Sequence, residues 1–219
     1  MNRLYISFLW HFHQPYYKDL TENFYILPYT RIHLVKNYYM MAKITEELSV
    51  NLNFNFTPIL LEQIKDYESG DGKDLFTNII EYGESYIREN KNILFERIKS
   101  LIPKNTISKY SRVKEIIQKS YDDLEINDLI DLFFYLNLSL ILRFDFDKKV
   151  ENLLFKEKNY SFDDINYLFE KQNEIIKKVL PLYRELFNEN LIELTMSPYA
   201  HPISPLILDT DLAKRCGEN

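Results

Sequence analysis

The spacing of hydrophobic and polar positions changes repeatedly along this chain, and each change marks an element. Leu4-Tyr5-Ile6-Ser7-Phe8-Leu9-Trp10 is a nearly continuous apolar run, the pattern of a strand buried on both faces. It breaks into a polar, aromatic segment around Pro15. Leu34, Val35, Tyr38, Met41 and Ile44 then recur at helical spacing, which predicts a helix over 33–48. The stretch from Asn51 to Phe56 alternates with period two and reads as a second strand. Pro58 follows at a position that suits the first turn of a helix running through Tyr67. Strand, helix, strand, helix is the grammar of a parallel α/β sheet.

From about Phe76 to Phe187 the pattern is almost wholly helical. Leu129, Leu132, Phe133, Leu136 and Leu140 form one stripe on an amphipathic helix. Ser161 precedes the acidic turn Phe162-Asp163-Asp164 and is an expected N-cap for a long helix toward Phe187. The helical stretch, about 74–188, is too long for a simple crossover. It reads as a helical layer inserted between the second and third strands of one domain spanning 1–219. The third strand is Leu191-Ile192-Glu193-Leu194-Thr195, and a loop punctuated by Pro198, Pro202 and Pro205 follows it.

Composition narrows the classes of function. Apolar residues make up 46% and charged residues 27%, as in soluble globular proteins. The net charge of −6, without a basic stripe, argues against nucleic acid, whose affinity rests on neutralising phosphates. Four glycines, at 70, 72, 83 and 217, leave no phosphate-cradling loop. The single cysteine, Cys216, has no internal disulfide partner. The short apolar N-terminal run suits a strand better than a signal peptide, and no stretch is long enough to span a membrane, so a cytoplasmic protein is expected.

Both histidine-bearing segments fall just after an expected strand, on the rim where parallel α/β sheets bind ligands. His11, His13 and His201 lie there, while His33 sits two residues after Arg31 at a helix start. Alternation in His11-Phe12-His13 points both imidazoles to one side. Two readings follow from the residues alone. A His-x-His pair can supply two metal ligands, given a further Asp, Glu or His. Alternatively, the nearby aromatics Trp10, Phe12, Tyr16, Tyr17, Tyr29 and Tyr199 can stack on sugar rings while His and Gln bond the hydroxyls.

The run Trp10-His11-Phe12-His13-Gln14-Pro15-Tyr16-Tyr17-Lys18-Asp19 resembles the first conserved region of family 57 glycoside hydrolases. Leu27 to Tyr39 is similar to the segment that follows it. Asn55-Phe56-Thr57-Pro58-Ile59-Leu60-Leu61-Glu62-Gln63-Ile64 resembles the family's second strand and helix start. Ile192 to Leu206, with Ser197-Pro198-Tyr199-Ala200-His201-Pro202-Ile203, resembles the second conserved region, in the form of the α-amylase and amylopullulanase branch. The similarity runs in order from residue 3 to about 215. One departure is Asn190, where the family often has glycine; Asn tolerates left-handed backbone, so the turn is expected to be kept.

The resemblance implies the N-terminal part of a (β/α)7 barrel acting on α-glucans by a retaining mechanism. Such a site needs a carboxylate nucleophile and an acid/base about 5–5.5 Å apart. The family's Glu and Asp for these roles belong to later regions, so both are expected beyond residue 219 and no catalytic residue is assigned. The chain is thus expected to be a truncated portion, inactive alone, with the missing C-terminal part of the same enzyme as its partner. By position, His13 and His201 match residues that line the subsite around the cleaved bond. His11, Gln14 and Glu193 match further motif positions and complete the expected substrate-binding set, with maltooligosaccharide as ligand and no cofactor or metal. The alternatives are a metal-dependent polysaccharide deacetylase or amidohydrolase using His11 and His13, and a non-catalytic sugar-binding module.

Overall fold

A computed structural model describes residues 4–209 and 211–216; residues 1–3, 210 and 217–219, Gly217 among them, lie outside the described residues, as do the side chains of Ala213 and Cys216. Strand β1 (Leu9–Phe12) leads into a hairpin of β2 (Lys18–Asp19) and β3 (Phe24–Tyr25). Helix α1 (Tyr29–His33), a π-helical stretch (Leu34–Tyr38) and α2 (Tyr39–Leu48) follow. Next come β4 (Leu52–Phe56) and α3 (Pro58–Ser69). The helical region contains α4 (Leu75–Glu89), α5 (Lys91–Leu101), α6 (Lys104–Lys109) and α7 (Ser111–Ile117). It continues through α8 (Ile126–Leu140), α9 (Lys148–Leu154) and α10 (Phe162–Asn188). Strand β5 (Ile192–Met196) and the short helices α11 (Ser204–Leu208) and α12 (Leu212–Cys216) complete the order.

Strands β1, β4 and β5 form a parallel sheet with β4 in the middle, and the protein is mixed α/β. Local chemistry sets the boundaries. Pro58 opens α3 at its first turn, and Gly70 closes it in the left-handed region at φ 90°. Capping boxes at Asp74/Thr77 and Ser161/Asp164 start α4 and α10. Gly83, at φ 61° and ψ −142°, breaks α4 in a conformation that essentially requires glycine. Asn190 adopts φ 58°, so the turn into β5 is kept without glycine.

One face of the sheet packs on the helices. Phe12, Phe54 and Phe56 all meet Tyr183 of α10, at ring separations of 6.0, 5.1 and 5.2 Å, and Phe12 also meets Tyr38 at 4.5 Å. Period-two alternation therefore turns the polar members of each strand to the other, open face.

Several expectations need correction. The N-terminal apolar run is not a strand buried on both faces: pairing begins at Leu9, and Leu4 is 85% and Trp10 44% exposed. The reason is that β1 is an edge strand, covered only from Phe12 onward. The helix expected over 33–48 begins at Tyr29 and passes through the π-helical stretch. Helix α8 is no single-striped helix: 12 of its 15 residues are buried, because neighbours pack around it on all sides. The hairpin β2–β3 was not legible in period; Lys18 and the Tyr25 hydroxyl both bind Asp66 of α3, which fastens it.

Candidate functional site

The strand register puts His11 beside Asn55, and Asn55 beside Thr195, across the three strands. All three side chains belong to the open face. Asn55 organises this row. Its Oδ1 accepts from His11 Nδ1 at 2.6 Å and from the Ser197 hydroxyl at 2.8 Å, while its Nδ2 donates to Thr195 Oγ1 at 3.0 Å. Thr195 Oγ1 in turn donates to the Phe54 carbonyl at 3.5 Å. With the amide in this orientation neutral His11 carries its proton on Nδ1, and its Nε2 lone pair can accept from a ligand hydroxyl.

His13 lies two residues on, at the end of the same strand, with Nδ1 3.2 Å from Thr57 Oγ1. Thr57 occupies the N-cap position of α3 but makes no side-chain cap; its hydroxyl is turned to His13 instead. The loop after β5 then brings His201 over both rings, at 4.3 Å from His11 and 5.3 Å from His13, with His11 and His13 stacked at 6.1 Å. Burial, and then the positive charges that His201 and His11 can carry, hold the His13 pKa below the usual imidazole value. A half-buried ring with a lowered pKa is neutral near pH 7 and can both give and take a hydrogen bond.

The other expected site residues stand apart from this triplet. Gln14 donates to the Tyr38 hydroxyl at 3.1 Å and accepts from the Tyr17 hydroxyl at 2.9 Å, so its amide is largely committed within the protein. Glu193 is exposed on the open face of β5, paired in register with Asn53. That places it one pleat repeat, roughly 6–7 Å, below the His11–Asn55–Thr195 row. Among the described residues no three His, Cys, Asp or Glu side chains converge as metal ligands.

Sequence reasoning overlooked Asn55, Thr57, Thr195 and Ser197, which orient the histidines. Their signal lay in the alternation itself: Asn53, Asn55 and Thr57 are the polar partners of Phe54 and Phe56. It also overlooked Glu62 of α3, whose carboxylate accepts from the Tyr16 hydroxyl at 3.3 Å and from the Tyr199 hydroxyl. Both tyrosines titrate above their usual value. For Tyr16 burial leads and the Glu62 charge adds to it; for Tyr199 the hydrogen bond to Glu62 leads. Nothing in residue spacing pairs position 62 with position 199.

The site is thus an open polar shelf at the C-terminal edge of a parallel sheet, with three imidazoles, hydroxyls and two tyrosines. Such a surface can bond the hydroxyls of a neutral polar ligand and flank its apolar faces with aromatic rings. Among the described residues no helix is long and apolar enough to cross a membrane. One family model, described as glycosyl hydrolase family 57, matches residues 7–215. Comparison with curated proteins and with solved structures gives no match.

Proposed function

The chain belongs to glycosyl hydrolase family 57, and from that premise we propose that its histidine shelf holds an α-glucan beside the bond to be cleaved. Family membership makes the protein a glycoside hydrolase with a carbohydrate substrate, and favours that chemistry over a deacetylase or amidohydrolase built on His11 and His13. By this reading β1, β4 and β5 are neighbouring staves of a (β/α)7 barrel whose polar face is the interior. The helices from Leu75 to Asn188 are an insertion between two of those staves.

The observation that carries the reading is the convergence of His11, His13 and His201 at one strand-end edge, with ring separations of 4.3–6.1 Å. His13 and His201 bond sugar hydroxyls and hold the ring in a near-attack position. His11 presents Nε2 as an acceptor. Gln14 acts through Tyr17 and Tyr38, and Glu193 lines the shelf lower down. The reaction is retaining, so it uses a nucleophile and an acid/base about 5–5.5 Å apart. Neither role is assigned to a residue of this stretch.

Titration calorimetry with maltoheptaose tests the proposal. Saturable binding is expected, with His13→Ala and His201→Ala each weakening it about tenfold, the loss of one hydrogen bond of roughly 1.4 kcal/mol. Unaltered affinity in both variants would overturn the assignment of the histidines. Equal affinity for a β-linked glucan of the same length would overturn the α-glucan reading.

A further inference from the structure

Residue His201 stands in the left-handed backbone region at φ 51°. A non-glycine residue at positive φ is uncommon, although histidine adopts it more readily than most, and here His201 N–H closes a turn on the Pro198 carbonyl at 2.9 Å. Further anchors hold the loop that carries this turn. Ser197 N–H donates to the Phe56 carbonyl at 3.2 Å, which extends the β4–β5 ladder by one step. The Tyr199 carbonyl accepts from Ile59 N–H at 3.1 Å, using one of the free donors at the start of α3. The Tyr199 hydroxyl then donates to Glu62, one turn further along α3. The other Glu62 oxygen takes Tyr16, from the loop that follows His13.

Glu62 therefore ties together the two loops that bear the histidines. We propose that Glu62 is a positioning residue that clamps Tyr199 to α3, so holding His201 over His11 and His13, and does not itself touch the sugar. This rests on the sugar-site reading above for its consequence in binding, though the clamp itself is a property of the free protein. Both Glu62 oxygens are occupied by tyrosine hydroxyls, while the imidazoles keep their free nitrogens on the open face.

The experiment follows the His13 ring by NMR pH titration in Glu62→Ala, Glu62→Gln and Tyr199→Phe, beside maltoheptaose affinity. In Glu62→Ala the loop keeps its backbone anchors but loses the Tyr199 clamp, so His201 is expected to shift away and His13 to titrate higher, nearer its ordinary value, with affinity falling about tenfold. Tyr199→Phe, which removes only the hydroxyl, should reproduce both changes and serves if Glu62→Ala does not fold. Glu62→Gln keeps one acceptor oxygen and should restore most of both. An unchanged His13 titration in folded Glu62→Ala or Tyr199→Phe overturns the clamp. If affinity nonetheless falls in Glu62→Ala, Glu62 contacts sugar directly. The titration needs no sugar, so a wild-type protein that fails to bind maltoheptaose sinks the proposed function while leaving the clamp to stand or fall on its own readout.

Discussion

Two imidazoles titrate low in the folded chain: His13, through burial and then His201 and His11, and His33, through burial alone. The unfolded chain therefore binds more protons than the folded one once pH drops below about 6.5. Stability falls from there down to the folded pKa values and then levels off. Carboxylates act at lower pH. Against burial, which raises them, lysine hydrogen bonds keep Asp128, Asp147 and Asp164 below the usual range. Their contribution is intact above about 3.9 and is lost only as pH falls through their folded values. Burial raises Asp145, which works in the opposite sense and favours the folded state as it protonates. A melting temperature that declines between pH 7 and 5.5 is thus expected from the histidines. Circular dichroism on the double variant His13→Asn/His33→Gln should show a flatter slope; the same slope as wild type would assign the decline elsewhere.

Between elements, the decisive junction is Asp74. Its Oδ1 accepts from Phe76 and Thr77 N–H and caps α4, while its Oδ2 accepts from Arg31 Nε of α1 at 2.9 Å and from the Tyr67 hydroxyl of α3 at 3.1 Å. Arg31 reaches on to Asn173 of α10 and lies 4.6 Å over the Phe169 ring. Both members of the pair are buried, so removing one leaves an uncompensated charge out of water. Asp74→Ala is expected to cost about 3–5 kcal/mol. Urea unfolding measures it, and a loss under about 1 kcal/mol, the scale of a surface pair, would show that the junction is not the fastening described. The same junction orients α3 beneath the shelf, which links its packing to the position of Thr57 and Glu62.

Across the whole molecule, the described parallel sheet has two unpaired edges, β1 and β5. Beside them Leu4, Tyr5, Ile6, Phe8 and Leu9 are exposed at one side, and Leu194 and Met196 at the other. A cavity of about 290 Å³ opens between β5 and helices α3 and α10, lined by Leu61, Leu180, Phe187, Leu194 and Met196. Open strand edges flanked by apolar side chains template further pairing. The 219-residue chain is expected to self-associate as its concentration rises, and Leu9→Lys with Met196→Lys to suppress this. Light scattering coupled to size exclusion measures it; a constant monomer mass over the whole range would contradict the expectation.

The sequence by itself determined where the main strands and helices lie, because period and capping are local properties. The alternating stretch 51–56 contains β4 (Leu52–Phe56), Pro58 starts α3, Ser161 caps α10, and Asn190 makes the turn into β5. The two histidine motifs were legible too, since the family resemblance rests on contiguous residues. The sequence did not reveal that the N-terminal run is exposed or that α8 is surrounded, because burial depends on neighbours remote in the chain. Only the tertiary structure decided that β4 lies between β1 and β5. That order joins Asn55 to Thr195 across 140 positions and sets His201 above His11. Strand order and loop anchoring come from packing between distant segments, and no local pattern encodes the pairing of Glu62 with Tyr199.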